Sequence, residues 1–219
     1  MADILRPASP VKQARVTVGD LGLALLPQTD LVSIGPFRGQ ADAVSATVKA
    51  ALGVSLSSGF QEQDSPEGYA VFRAGQSQWF CRGPEGGMLE ARLVALCEGR
   101  AAVTDQSDSR VRFSLCGPGA AAIAAKLVPV DLRASAFGKS YVALTLAGHI
   151  PVILTCREVL LEYEFLVPRS LAQSLFDDIH IVMKGGIPGS DPVCSRADKG
   201  DYFIPSGEMD PRDDRNARA

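Results

Sequence analysis

Leu161, Tyr163, Phe165 and Val167 alternate with Glu162 and Glu164. That period of two puts four apolar groups on one face of a strand and two carboxylates on the other. Val111, Phe113 and Leu115 repeat the pattern against Arg112 and Ser114. Strands with one apolar and one charged face are the mark of an antiparallel sheet covered on one side and wet on the other. With Tyr141 to Leu146 and Ile150 to Cys156, the Leu161–Val167 strand makes a three-strand meander, expected to be half exposed.

The rest of the chain mixes short strands with a few helices. Ala14 to Val18 and Leu21 to Leu26 read as strands, and Tyr69 to Ala74 with Trp79 to Arg82 as a hairpin. Helical spacing of apolar residues marks Gln40 to Leu52, ended by Gly53, then Met88 to Cys97, and Pro118 to Leu127. The last helix begins at a Ser170 and Gln173 capping box and carries the stripe Leu171, Leu175, Ile179 and Val182. Without strict strand-helix alternation the expected class is α+β, two ferredoxin-like antiparallel sheet units. They divide the chain into residues 1–99 and 100–186, followed by a tail, 187–219, too polar to build a core. Its one apolar cluster, Tyr202, Phe203 and Ile204, is expected to lie against another subunit, with simple disorder as the alternative.

A net charge of -3 with scattered Lys and Arg argues against nucleic acid. No apolar run approaches the roughly 20 residues of a membrane span, and the start, Met1 to Pro7, has no signal-peptide character, so a cytoplasmic location is expected. Five well-separated cysteines contain no C-x-x-C pair. Cys81, Cys97 and Cys156 sit in apolar runs and are expected in the core, whereas Cys194 lies in the polar tail.

Candidate sites are few. Cys116 to Ala122 contains G-x-G-x-x-A between a strand and a helix, but no acidic residue ends the following strand, so it reads as a helix start. Only His149 and His180 could serve a metal or a histidine-dependent reaction; His149, after Gly148 at a hairpin turn, has no carboxylate partner near in sequence, and His180, between Ile179 and Ile181 on the last helix, reads as a packed or surface histidine. Ser77 lacks a nucleophile elbow. Asp105, Ser107 and Asp108, in Val103-Thr104-Asp105-Gln106-Ser107-Asp108-Ser109-Arg110, form a polar turn that satisfies backbone donors. Arg169 is placed either to meet an anion or to sit in solvent. Trp79 is a candidate partner contact, with internal packing as the competing reading.

In order along the chain, several motifs resemble the gamma subunit of heterotetrameric sarcosine oxidase. They are the leader Leu5 to Pro10, Gly75 to Phe80 with its tryptophan, Val103 to Arg110, Gly117-Pro118, Lys126 to Leu132 with Phe137, and Phe165 to Ser170. The resemblance implies a fold like the folate-binding domain of aminomethyltransferases and a subunit with no catalytic, cofactor or metal residues of its own. It implies alpha, beta and delta partner subunits holding FAD, FMN, NAD, zinc and tetrahydrofolate. Such a complex demethylates sarcosine oxidatively, passes the one-carbon unit to tetrahydrofolate and reduces oxygen to hydrogen peroxide. Alternatives are a subunit of N-methylglutamate dehydrogenase or another secondary-amine demethylase, and a free-standing folate-dependent enzyme that would need a deep carboxylate, for which Asp105 and Asp131 are the candidates.

Overall fold

Residues 8–84 and 86–185 are described in a computed structural model. The chain runs β1 (Arg15–Val18), β2 (Leu21–Leu25), β3 (Asp30–Pro36), α1 (Ala41–Leu52), β4 (Gln63–Asp64), β5 (Ala70–Gly75), β6 (Gln78–Gly83) and α2 (Leu89–Cys97). It continues through β7 (Ala101–Asp105), β8 (Arg110–Cys116), α3 (Ala120–Leu127), β9 (Val142–Ala147), β10 (Ile150–Glu158), β11 (Glu162–Pro168) and α4 (Ala172–Lys184). All strand pairs are antiparallel, in a six-stranded sheet of order β1-β2-β8-β11-β10-β9 and a five-stranded sheet of order β4-β5-β6-β3-β7.

The helices form where the apolar spacing demands. Val44, Val48 and Leu52 recur four apart and are buried, and Gly53, at φ 73°, donates its N–H to the Lys49 carbonyl to stop α1. In α4 the buried stripe is Ala172, Leu175, Phe176, Ile179 and Met183. The expected capping box is not made. A 3-10 turn at Arg169–Leu171 precedes α4, whose first turn has no side-chain cap, and the Gln173 Oε1 accepts instead from the Lys12 backbone N–H at 2.8 Å.

Each sheet carries two helices on one face and meets the other sheet with its second face, giving an α/β/β/α stack. Phe113, Leu115, Leu154, Tyr163 and Phe165 of the larger sheet pack on α3 and α4. Val32, Ile34, Val71 and Cys81 of the smaller pack on α1 and α2. Between the sheets lie Leu31, Phe72, Phe80, Val142, Ile153 and Leu166. The smaller sheet follows a βαββαβ path, β3-α1-β5-β6-α2-β7, with the ferredoxin-like order β5-β6-β3-β7. The larger has the same plan of paired helices on an antiparallel sheet, by another strand path.

Three sequence expectations need correction. Glu162 and Glu164 do not face water: they are 8% and 3% exposed, because the second sheet covers the face on which they lie. The sheets also cross the expected division at residues 99 and 100, since β1 and β2 join the later strands while β7 joins the earlier ones. Asp30–Pro36, for which the sequence pattern assigned no element, is an interior strand, paired on both edges. Leu31, clustered with Phe80 of β6, on one side and Val32 and Ile34 on the other show why: both faces are buried, so no alternation survives to be read. The tail 187–219, with Cys194, Tyr202, Phe203 and Ile204, lies outside the described residues.

Candidate functional site

The buried acids and bases converge between the sheets. Arg157 on β10 donates through Nη1 and Nη2 to both oxygens of Glu62, at 2.7 and 3.1 Å, and through Nε to Glu164 on β11 at 2.9 Å. From the opposite sheet, Arg82 on β6 donates to Glu62 at 2.7 Å and to Glu164 at 3.0 Å. Arg112 on β8 reaches Glu164 at 3.4 Å and the Pro27 carbonyl at 2.8 Å. Burial alone would raise Glu164, but Arg157, Arg112 and Arg82 outweigh it and hold the carboxyl well below its usual range. Burial raises Glu62 against the pull of Arg82 and Arg157, and lowers Arg112 to about 10. The network ties the two sheets together through charged groups and one backbone carbonyl, and its carboxylates are occupied by guanidiniums rather than open to a substrate.

Residues 105–110 connect β7 of one sheet to β8 of the other. Ser107 donates its hydroxyl to Asp105 at 2.6 Å and receives the Leu31 N–H at 3.0 Å, while Ser109 donates to the Gln106 carbonyl at 2.8 Å. Gln28 donates to the Ser107 carbonyl and to Asp108 at 3.2 and 2.9 Å. The Asp105 carboxyl is lowered by its bonds from Ser107. The polar turn expected from the sequence is therefore present, and it separates two cavities. One, of about 290 Å³, has the cations Lys12, Arg110, Arg112 and Arg169 in its wall; the other, of about 400 Å³, has Asp30, Glu90, Asp105 and Asp108. Asp30 is already bound by the N–H groups of Gly86, Gly87 and Leu89 at the start of α2.

The other candidate residues scatter. Trp79, expected at a contact surface, is 8% exposed in the core under α1 and α2, its indole N–H donating to the Ser57 carbonyl at 2.8 Å. Its ring finds a complete environment inside the chain, so the contact reading gives way to internal packing. Asp131 is exposed and bound by Arg133, which lowers it to about 2. Neither Asp131 nor the exposed Asp105 is the deep carboxylate that a pterin site needs. His149 is exposed at the β9–β10 turn, and His180 lies with its ring 6.5 Å from Phe176. Among the described residues no three His, Cys, Asp or Glu side chains are grouped to hold a metal. Gly117 and Gly119 take φ values of 114° and 92° at the start of α3, and β8 has antiparallel neighbours on both sides, so the glycine motif is a helix entry. Cys81 and Cys156 are buried, which pushes their thiols up to about 12 and about 11. What sequence reasoning missed is the ion network. Its trace is charge at Arg82, Arg112, Arg157 and Glu164 within strands otherwise largely apolar.

No family model matches the sequence. Over 111 residues the chain is 36% identical to the sarcosine oxidase subunit gamma of Corynebacterium sp. (strain P-1), a match covering 48% of this chain and 55% of that protein. The chain thus matches about half the length of this curated relative. In fold it is similar to a chain of the heterotetrameric sarcosine oxidase from Corynebacterium sp. U-96 in complex with pyrrole 2-carboxylate, with a TM-score of 0.71 and 24% identity over 84% of this chain and 99% of that one. It is also similar to the glycine cleavage system aminomethyltransferase T from Bartonella henselae, with a TM-score of 0.50 and 18% identity over 74% of this chain and 45% of that one. Among the described residues no helix is long and apolar enough to cross a membrane. In sequence, then, the chain resembles a sarcosine oxidase gamma subunit, and in fold it resembles a chain of the assembled oxidase.

Proposed function

We propose that this chain is the gamma subunit of a cytoplasmic, flavin-dependent sarcosine oxidase, and that it serves the complex as a shaped body rather than as a catalyst. The observation that carries the reading is the sequence match to a curated gamma subunit, over half of each chain, together with a fold match that spans nearly the whole of the oxidase chain. The geometry supports it: the carboxylates between the sheets are held by arginines, and Ser107 is held by Asp105. Oxidation of sarcosine, transfer of its one-carbon unit to tetrahydrofolate and formation of hydrogen peroxide then belong to the alpha, beta and delta subunits with their FAD, FMN, NAD and zinc. On the β9 edge strand, Leu144 and Leu146 are 40% and 48% exposed, apolar groups that suit a subunit with a partner to cover them.

Purification of the tagged chain from its native host tests the reading. A yellow assembly that oxidises sarcosine is expected, and replacing Tyr202, Phe203 and Ile204 by alanine is expected to release the partners. A colourless chain without partners would overturn it, and an assembly that oxidises a different N-methyl amino acid would move it to a related demethylase.

A further inference from the structure

The inter-sheet network reaches the smaller cavity at one end. Its ion pairs join three guanidiniums to two carboxylates, and Arg112 carries that network to the cavity wall. Arg110 stands two residues away on β8 and so projects from the same face. It is half-buried over the Phe80 ring, 5.7 Å from its centroid, and has no hydrogen bond or ion pair among the described residues. Arg169 lines the same space, anchored by Nη2 on the Ala8 carbonyl at 2.8 Å and by its backbone N–H on the Ser109 carbonyl at 2.9 Å. Among the described residues no carboxylate lines this cavity, for Asp105 and Asp108 of the same turn line the other one. Its remaining wall is largely apolar, with Leu25, Leu31 and Leu166. A guanidinium that meets only a ring face keeps its N–H donors unused, and an anion seated against it would take them.

We propose that this cavity binds a small carboxylic acid with an apolar body, its carboxylate taken by Arg110 with Arg112 and Arg169 lining the same space, its body lying on Leu25, Leu31 and Leu166. A guanidinium matches a carboxylate with two parallel hydrogen bonds. A phosphate has no group to cover the leucines. The volume of about 290 Å³ lies at the lower end of the range for small-molecule sites, which limits the ligand to a compact acid. The site is independent of the assembly reading and adds a ligand to a chain for which none was expected.

Calorimetric titration of the intact chain, in whatever assembly it is purified, uses benzoate as the probe, with neutral benzamide and inorganic phosphate as controls. Benzoate is expected to bind saturably, one per chain, with benzamide and phosphate each about tenfold weaker or more. Arg110→Gln is expected to weaken benzoate by a similar factor, and so is Leu26→Trp, which adds bulk to the cavity wall and leaves every guanidinium in place. A variant is read only where its urea midpoint shows it folded, and Leu26→Trp decides the matter if Arg110→Gln does not fold. No saturable benzoate binding, equal binding of either control, or binding indifferent to the folded variants would overturn the proposal.

Discussion

Glu164 accepts hydrogen bonds from three arginines drawn from both sheets while almost wholly shut off from water. Removing one member of such a set strands the others, so Glu164→Gln is expected to cost about 3–5 kcal/mol of unfolding free energy in urea at neutral pH. The pH dependence follows from the direction of its shift. Glu164 ionises below its usual value of about 4.3, so its contribution is full above that pH and is lost as pH falls through its depressed folded value. Glu62 is raised and works the other way, stabilising most below about 4.3 and losing that contribution as pH rises through its folded value. Urea midpoints of the parent are expected to fall on acidification below pH of about 4, and those of Glu164→Gln to fall less; parallel curves for the two would contradict this assignment.

The entry to α3 shows how a single turn fixes the meeting of several elements. A Cβ on Gly117 would stand 2.1 Å from the Asp20 carbonyl oxygen in the β1–β2 turn, and the residue's φ is 114°. Gly148, at the β9–β10 turn, has φ 59° and open space where its Cβ would be. Gly117→Ala is therefore expected to cost more than about 3 kcal/mol, since it adds a backbone clash to conformational strain. Gly148→Ala costs only the left-handed preference, about 1–2 kcal/mol. Equal losses in urea denaturation would show that the contact at Asp20 is not a constraint. Gly117 also illustrates how far local pattern reaches. The helix entry, the α1 stop at Gly53 and the strands with one apolar face are legible in the sequence because local spacing alone decides them. The interior strand β3 is not, because burial on both faces erases alternation, and the loss of the Ser170 cap is not, because the distant backbone of Lys12 claims Gln173.

At the scale of the molecule the same lesson concerns what covers a face. Alternation in β8 and β11 decides which side chains share a face, but only the second sheet, built largely from earlier sequence, turns the charged face into an interior. The site is less legible than the fold for this reason: Glu62, Arg82, Arg112, Arg157 and Glu164 lie as much as 102 residues apart in the chain, and no local pattern joins them. The polar turn at residues 105–110 is readable as a turn, though not as the wall between a cationic and an acidic cavity. The proposal that this chain is one subunit of an oxidase is put to the test by the native mass of the assembly purified through it. A single species containing four different chains, one of them this one, is expected; a homogeneous species made of this chain alone would refute it.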